Sequence, residues 1–131
     1  MAANVQPIFK SGALGGGAQF TDGDASTKKL ICTAGTNGTR IDGLLISSND
    51  TAAIDLEFYI YDGTTYHYIG YVNVPIGAGY PSVARVDGIV TLAPTNLKYI
   101  DFPSGSALYA ACAATMTTAK TCDVVPQGGN Y

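Results

Sequence analysis

The residues able to do chemistry in this 131-residue chain are few and poorly matched to one another. The single histidine, His67, has no Ser or Cys beside it in a nucleophile motif, and no G-x-S-x-G occurs. Cys32, Cys112 and Cys122 show no C-x-x-C spacing, and one histidine cannot complete an ordinary zinc set with them. They read as reduced, buried thiols acting as small hydrophobes. Glu57 is the only glutamate, and the nine aspartates are spread through turns with no spacing that marks a glycosidase pair. Asp22-Gly23-Asp24 lacks the staggered ligands and closing glutamate of a calcium loop. Gly15-Gly16-Gly17 leads into neither Lys-Ser/Thr nor a helix, so it is no phosphate loop. The expectation is a protein without an active site, cofactor or metal.

Tyrosine is where the sequence concentrates. Asp55–Val74, DLEFYIYDGTTYHYIGYVNV, holds five of the nine tyrosines. Taken two residues at a time, Leu56, Phe58 and Ile60 form one stripe, with Glu57, Tyr59 and Tyr61 on the other side. On the following strand Tyr66 and Tyr68 share a face, and strict alternation puts Tyr71 opposite them with His67 and Ile69. Tyrosine buries a large ring while keeping a hydroxyl for a partner, and it is enriched at interfaces. One stripe is therefore assigned to the core and the other to contact with another chain. A sugar ring stacked on Tyr59, Tyr61, Tyr66 or Tyr68 is the alternative.

The elements that must hold these rings are strands. From Lys28 onward apolar residues recur with period two, over Lys29–Thr33, Thr39–Ser47, Ile54–Tyr61, Tyr66–Val74, Val83–Leu92, Leu97–Asp101, Ala107–Met116 and Thr121–Val125. Asn37-Gly38 and Asp62-Gly63 are hairpin signals, because both central residues of a type I′ turn need positive φ. About eight short strands with breaks every ten residues or so predict an all-β, antiparallel β-sandwich over residues 28–131, with a short C-terminal tail after Val125. Its expected core comprises Leu30, Ile41, Leu45, Phe58, Ile60, Ile69, Val90, Leu92, Leu108 and Val124. Residues 1–27 lack a sustained period and read as an extended N-terminal arm, with Val5, Ile8, Phe9 and Phe20 spaced to enter successive pockets of a partner.

Composition limits the partners. Charged residues make up only 13% of the chain against 47% hydrophobic, so Thr, Ser, Asn, Gly and Tyr must cover the surface. Such surfaces suit proteins packed against copies of themselves or a larger assembly. A net charge of −3, with seven scattered basic residues, gives no footprint for nucleic acid. No stretch has the roughly 18 to 20 apolar residues of a membrane span.

The opening MAANVQPIF, the ending CDVVPQGGNY and the segment CTAGTNGTRIDGLLI together resemble a group of small structural proteins of tailed bacteriophages, encoded near head genes. The arm resembles that group at Met1, Ala2, Asn4 and Pro7, and the tail at Gly128, Gly129, Asn130 and Tyr131; the chain departs from it in an arm without Trp and in the Gly12–Gly17 stretch. The resemblance implies a jelly-roll-like capsid decoration, or cement, protein. Such a protein is made in the host cytoplasm, sits on the capsid surface of the virion, and binds the major capsid protein or another virion protein, as a homo-oligomer with a trimer favoured. It adds Tyr131 to the expected contact residues.

Overall fold

The computed structural model describes residues 10–94 and 97–131. Ten strands and one short helix appear in the order β1 (Gly12–Ala13), β2 (Ala18–Thr21), β3 (Lys29–Thr33), β4 (Thr39–Ser48), β5 (Ile54–Tyr61), β6 (Tyr66–Val74), β7 (Val86–Asp87), α1 (Gly88–Leu92), β8 (Ile100–Phe102), β9 (Ala107–Cys112) and β10 (Thr121–Asn130). They form two antiparallel sheets. One runs β1-β10-β4-β7, with β2 also beside β10 and β8 also beside β4; the other runs β3-β9-β5-β6. The inward faces of both close on one core that includes Phe20, Ile31, Ile41, Leu44, Ile46, Leu56, Phe58, Val72, Ile89, Leu108 and Val124. This is the all-β sandwich the alternation predicts.

Four of its expected core residues, Ile41, Phe58, Leu108 and Val124, are buried. Ile60, Ile69 and Leu92 pack at the core's margin. Leu30, Leu45 and Val90 are not in the core, for two distinct reasons. The first is a set of three β-bulges, each of which inserts an unpaired residue and resets the parity of its strand. In β3, Leu30 lies opposite Tyr109 and Cys32 opposite Leu108, so Ile31 is the extra residue. Ile31 and Cys32 both turn inward and Leu30 is left 45% exposed. In β4, Ile41 pairs with Gly128 and Gly43 with Gln127, so Asp42 is extra; Leu44 and Ile46 then point in, while Leu45 turns out beside Val125. In β6 the pairs Phe58–Gly70 and Tyr59–Tyr68 leave Ile69 extra.

Val90 fails for the second reason. The expected strand Val83–Leu92 survives only as β7, because the Asp87 carboxylate accepts from the amides of Ile89 (3.1 Å) and Leu44 (3.0 Å). One side chain thus caps the helix and ties it to β4. With the chain turned into α1, Ile89 enters the core and Val90 is left 82% exposed. The other expected strand limits shift less: β8 covers Ile100–Phe102, β9 stops at Cys112, and β10 continues past Val125 to Asn130.

Residues 10–27, expected as part of an extended arm, instead join the sandwich. β1 pairs with the end of β10, β2 pairs with its beginning, and Phe20 is fully buried against the sandwich core. The segment lacks a visible period because its two strands total six residues and are split by Gly15–Gly17. At Gly16 the approach to β3 is so close that a Cβ would lie 2.3 Å from the Ile31 carbonyl oxygen. Val5, Ile8 and Phe9 lie outside the described residues.

Because Phe20 is a core residue of its own domain, Phe20→Ala should cost about 3–5 kcal/mol of stability. Chemical denaturation of the isolated protein measures this directly; a side chain awaiting a partner would leave the midpoint unchanged.

Candidate functional site

The outer face of the β3-β9-β5-β6 sheet carries the aromatic cluster. Antiparallel partners share a face, and the register places Tyr59 opposite both Tyr68 on β6 and Tyr109 on β9. Tyr61 pairs with Tyr66, and Glu57 with Tyr71. The bulge at Ile69 decides this arrangement. Before it Tyr66 and Tyr68 point outward; after it Val72 and Val74 point inward and Tyr71 outward. Gly70, at φ 138°, supplies the backbone conformation the reset needs, and a side chain there would press on Leu92. Strict alternation assigns Tyr71 to the opposite face; the structure corrects that, and all five hairpin tyrosines look outward.

Five rings form a connected set. Tyr61 and Tyr66 have centroids 4.5 Å apart, Tyr66 and Tyr109 5.1 Å, Tyr59 and Tyr68 5.6 Å, Tyr61 and Tyr109 5.7 Å, and Tyr59 and Tyr66 6.4 Å. Three of these pairs are edge-on, with interplanar angles of 75–87°. Each such contact contributes about 0.5–1.5 kcal/mol beyond buried area. The Lys28 ammonium lies 4.8 Å from the Tyr59 centroid and 5.2 Å from that of Tyr66, a cation–π contact with both. The Tyr59 hydroxyl donates to Glu57 Oε2 at 2.9 Å, and the Tyr61 hydroxyl to the Gly63 carbonyl at 3.1 Å. These contacts fix the rings in place, yet Tyr66 and Tyr68 remain 41% and 56% exposed.

The hairpin turn at the rim is polar. Asp62 accepts from the amides of Thr64 and Thr65 and pairs with His67 Nε2 at 2.8 Å. The Thr65 amide, the His67 ring and the Thr64 amide together hold its carboxyl at about 2. His67 is thereby engaged in closing a turn.

The remaining expected contact residues lie elsewhere. Phe20 is in the core. Tyr131 sits at the far end of the β10 strand, where its hydroxyl donates to Asp101 Oδ1 at 3.0 Å beside a shallow recess lined by Asn37, Gly38, Phe102 and Pro103. Thus Tyr59, Tyr61, Tyr66 and Tyr68 come together, and Tyr131 does not join them. Tyr109 and Lys28, which the sequence did not mark as contact residues, belong to the same face, as do Tyr71, expected on the opposite face, and Leu30, expected in the core. Alternation with Leu108 and Cys112 does mark Tyr109 as outward, but only the β5–β9 pairing puts it against Tyr59.

All three cysteines are free and buried. Burial pushes the Cys32 thiol up to about 11 and the Cys122 thiol to about 12, so neither presents a thiolate near neutral pH. Among the described residues no three His, Cys, Asp or Glu side chains converge as a metal set, and no helix is long and apolar enough to cross a membrane. No known family, curated protein or solved structure matches the chain.

Burial, and then the neighbouring Glu57 carboxylate, raise the Tyr59 phenol above its usual value of 10.0; burial and the Tyr66 ring raise Tyr109 likewise. A raised phenol stabilises the fold fully below the unfolded value and loses that contribution as pH climbs through the folded one. Burial and Asp101 raise the Tyr131 phenol as well, so alkaline spectrophotometric titration should show Tyr59, Tyr109 and Tyr131 ionising late, with unfolding transitions moving down above pH 10. Tyr59→Phe should remove one late-titrating phenol; an unchanged titration curve would contradict the assignment.

Proposed function

We propose that this chain is a virion structural protein, a capsid decoration protein of the cement kind, which stabilises a phage head by covering its tyrosine face with a shell protein. The observation that carries the proposal is the five-ring cluster on the outer face of the β3-β9-β5-β6 sheet, held rigid by ring–ring and Lys28 contacts while Tyr66 and Tyr68 stay exposed. Rigid, amphipathic rings on a strand surface lose little side-chain entropy when covered and leave hydroxyls for polar contacts. The low charge of the chain and the resemblance of its two ends to tailed-phage structural proteins support the same assignment. The mechanism is burial of this face across a joint of the shell. A standard interface of roughly 800 Å² per partner, repeated over the lattice, suffices.

A carbohydrate-binding module is the competing assignment. A sugar platform wants rings lying parallel to the surface; the edge-on Tyr59–Tyr66, Tyr61–Tyr109 and Tyr66–Tyr109 pairs weigh against one. They fit the interdigitated core of a protein interface better.

Cosedimentation with empty heads assembled from the accompanying major capsid protein tests the proposal. The wild-type chain should bind, and Tyr66→Ala with Tyr68→Ala should weaken binding at least about tenfold, as loss of hot-spot rings does, at a temperature where circular dichroism shows the variant still folded. A wild-type chain that ignores heads, or a double variant that binds them equally well, would refute it. Tyrosine-dependent hits on a glycan array would favour the sugar module instead.

A further inference from the structure

The long strand β6 forms one edge of its sheet and pairs with β5 alone. Its other backbone edge therefore carries amides and carbonyls without a strand partner among the described residues. Natural sheets protect such edges with short strands, Lys, Pro or covering segments. The other outer strands here follow that rule: β1 and β7 have two residues each, β8 three, β2 four, and β3 five with Lys28 and Lys29 at its entrance. β6 spans nine residues, YHYIGYVNV, with no Pro, Lys, Arg, Asp or Glu. Only the bulge at Ile69 interrupts it, leaving a regular five-residue segment, Gly70–Val74, closed at the far side by Pro75.

We infer that this edge binds a second copy of the same chain, with the two Gly70–Val74 segments paired antiparallel about a two-fold axis at Val72. The register follows from geometry. A symmetric pairing that uses all five residues must be centred on the third, which sets Tyr71 opposite Asn73 of the other copy. That register keeps faces matched: Val72 and Val74 stay on the core side, and Tyr71 and Asn73 stay on the tyrosine side. A self-complementary contact of this kind closes as a dimer without growing into a filament.

The chemistry suits a second copy in particular. Self-pairing of a strand without formal charges places no like charges across the seam, and the two carboxylates on the neighbouring strand are already engaged, Asp55 by the Asn73 amide at 2.8 Å and Glu57 by the Tyr59 hydroxyl at 2.9 Å. Tyr71, 55% exposed, gains a neighbour on the outer face, and Val90 stands exposed on α1, which packs against β6. Pairing would join two four-stranded sheets into one of eight and make a single tyrosine surface of double width. The inference stands independently of what that surface binds.

Sedimentation velocity of the isolated full chain over a concentration series should show a monomer–dimer equilibrium. Amides of Gly70–Val74 should exchange more slowly as the chain is concentrated. Tyr71→Lys with Asn73→Lys places lysines directly opposite each other on both sides of the two-fold axis and should weaken dimerisation roughly tenfold. Each new lysine lies beside Glu57 or Asp55 in its own chain, so the monomer fold tolerates the change. Mixing Tyr71→Cys with Asn73→Cys should give a disulfide-linked heterodimer faster than either variant forms a homodimer. A chain that stays monomeric throughout, sediments as a trimer, or dimerises regardless of the lysines and without that heterodimer would overturn the inference.

Discussion

The molecule depends on the passage of its last strand through the middle of the larger sheet. β10 is paired with β4 from Cys122–Ser48 to Asn130–Thr39, and its other side receives β2 and then β1. The fit is tight enough to dictate sequence. A Cβ at Gly128 would sit 2.0 Å from the Arg40 carbonyl oxygen, and one at Gly129 2.8 Å from that of Gly12. The Gly-Gly-Asn-Tyr ending is thus a structural requirement of the sheet. Asn130 extends the same seam through its side chain, accepting from the buried Thr39 hydroxyl at 2.5 Å. Pro126 is tolerated mid-strand because its partner Leu44 sends its amide away from β10, to Asp87, so no ladder bond is lost on that side. A sheet whose central strand is the last to be made has many non-local contacts, and loop-closure entropy makes such topologies slow to fold.

Polar side chains complete what the ladders leave open. Asp50, buried between β4 and β5, accepts from the Thr117 amide at 3.0 Å, the Thr117 hydroxyl at 2.5 Å and the Ala52 amide at 2.9 Å. Burial alone would raise this carboxyl, but the Thr117 and Ala52 hydrogen bonds outweigh it and the net shift is downward. The ionised form is therefore the one the fold holds, and its contribution is lost as pH falls below the ordinary carboxylate range through the lowered value. Asp24 acts similarly for the turn after β2: Lys29 bonds it first, then the Thr21 amide, and together they lower its carboxyl. Carboxylates that look from the sequence like possible ligands are occupied in closing loops.

With the larger sheet fixed in this way, the smaller sheet is free to specialise. Its inner face supplies Leu56, Phe58, Val72 and Leu108 to the shared core, and its outer face concentrates tyrosine. The two faces answer different constraints. Core side chains are held by volume, while the outward rings are held by one another, by Lys28 and by Glu57. An outer face braced to this degree is preorganised for contact, which lowers the entropy lost when a partner covers it.

The sequence by itself determined the class of the fold, the limits of β3, β5 and β6, the inward course of Phe58, Leu108 and Val124, and the outward course of Tyr59 and Tyr61. These follow from local alternation and turn chemistry, which act over a few residues. Tertiary structure decided whatever depended on a partner strand. Ile31, Asp42 and Ile69 become bulges only because β9, β10 and β5 oppose them with one residue fewer, and each bulge reverses the parity that alternation alone assigns. Leu30 and Leu45 left the core and Tyr71 joined the outer cluster for that reason. Val86–Leu92 split into strand and helix because the Asp87 carboxylate found both the Ile89 and the Leu44 amides, and Leu44 is 43 residues away. Gly12–Ala13 and Ala18–Thr21 became strands because β10 offered them an edge, a long-range opportunity with no local trace. Tyr109 met Tyr59 by the same logic, since the composition of a face can be read along one strand and its assembly only across several.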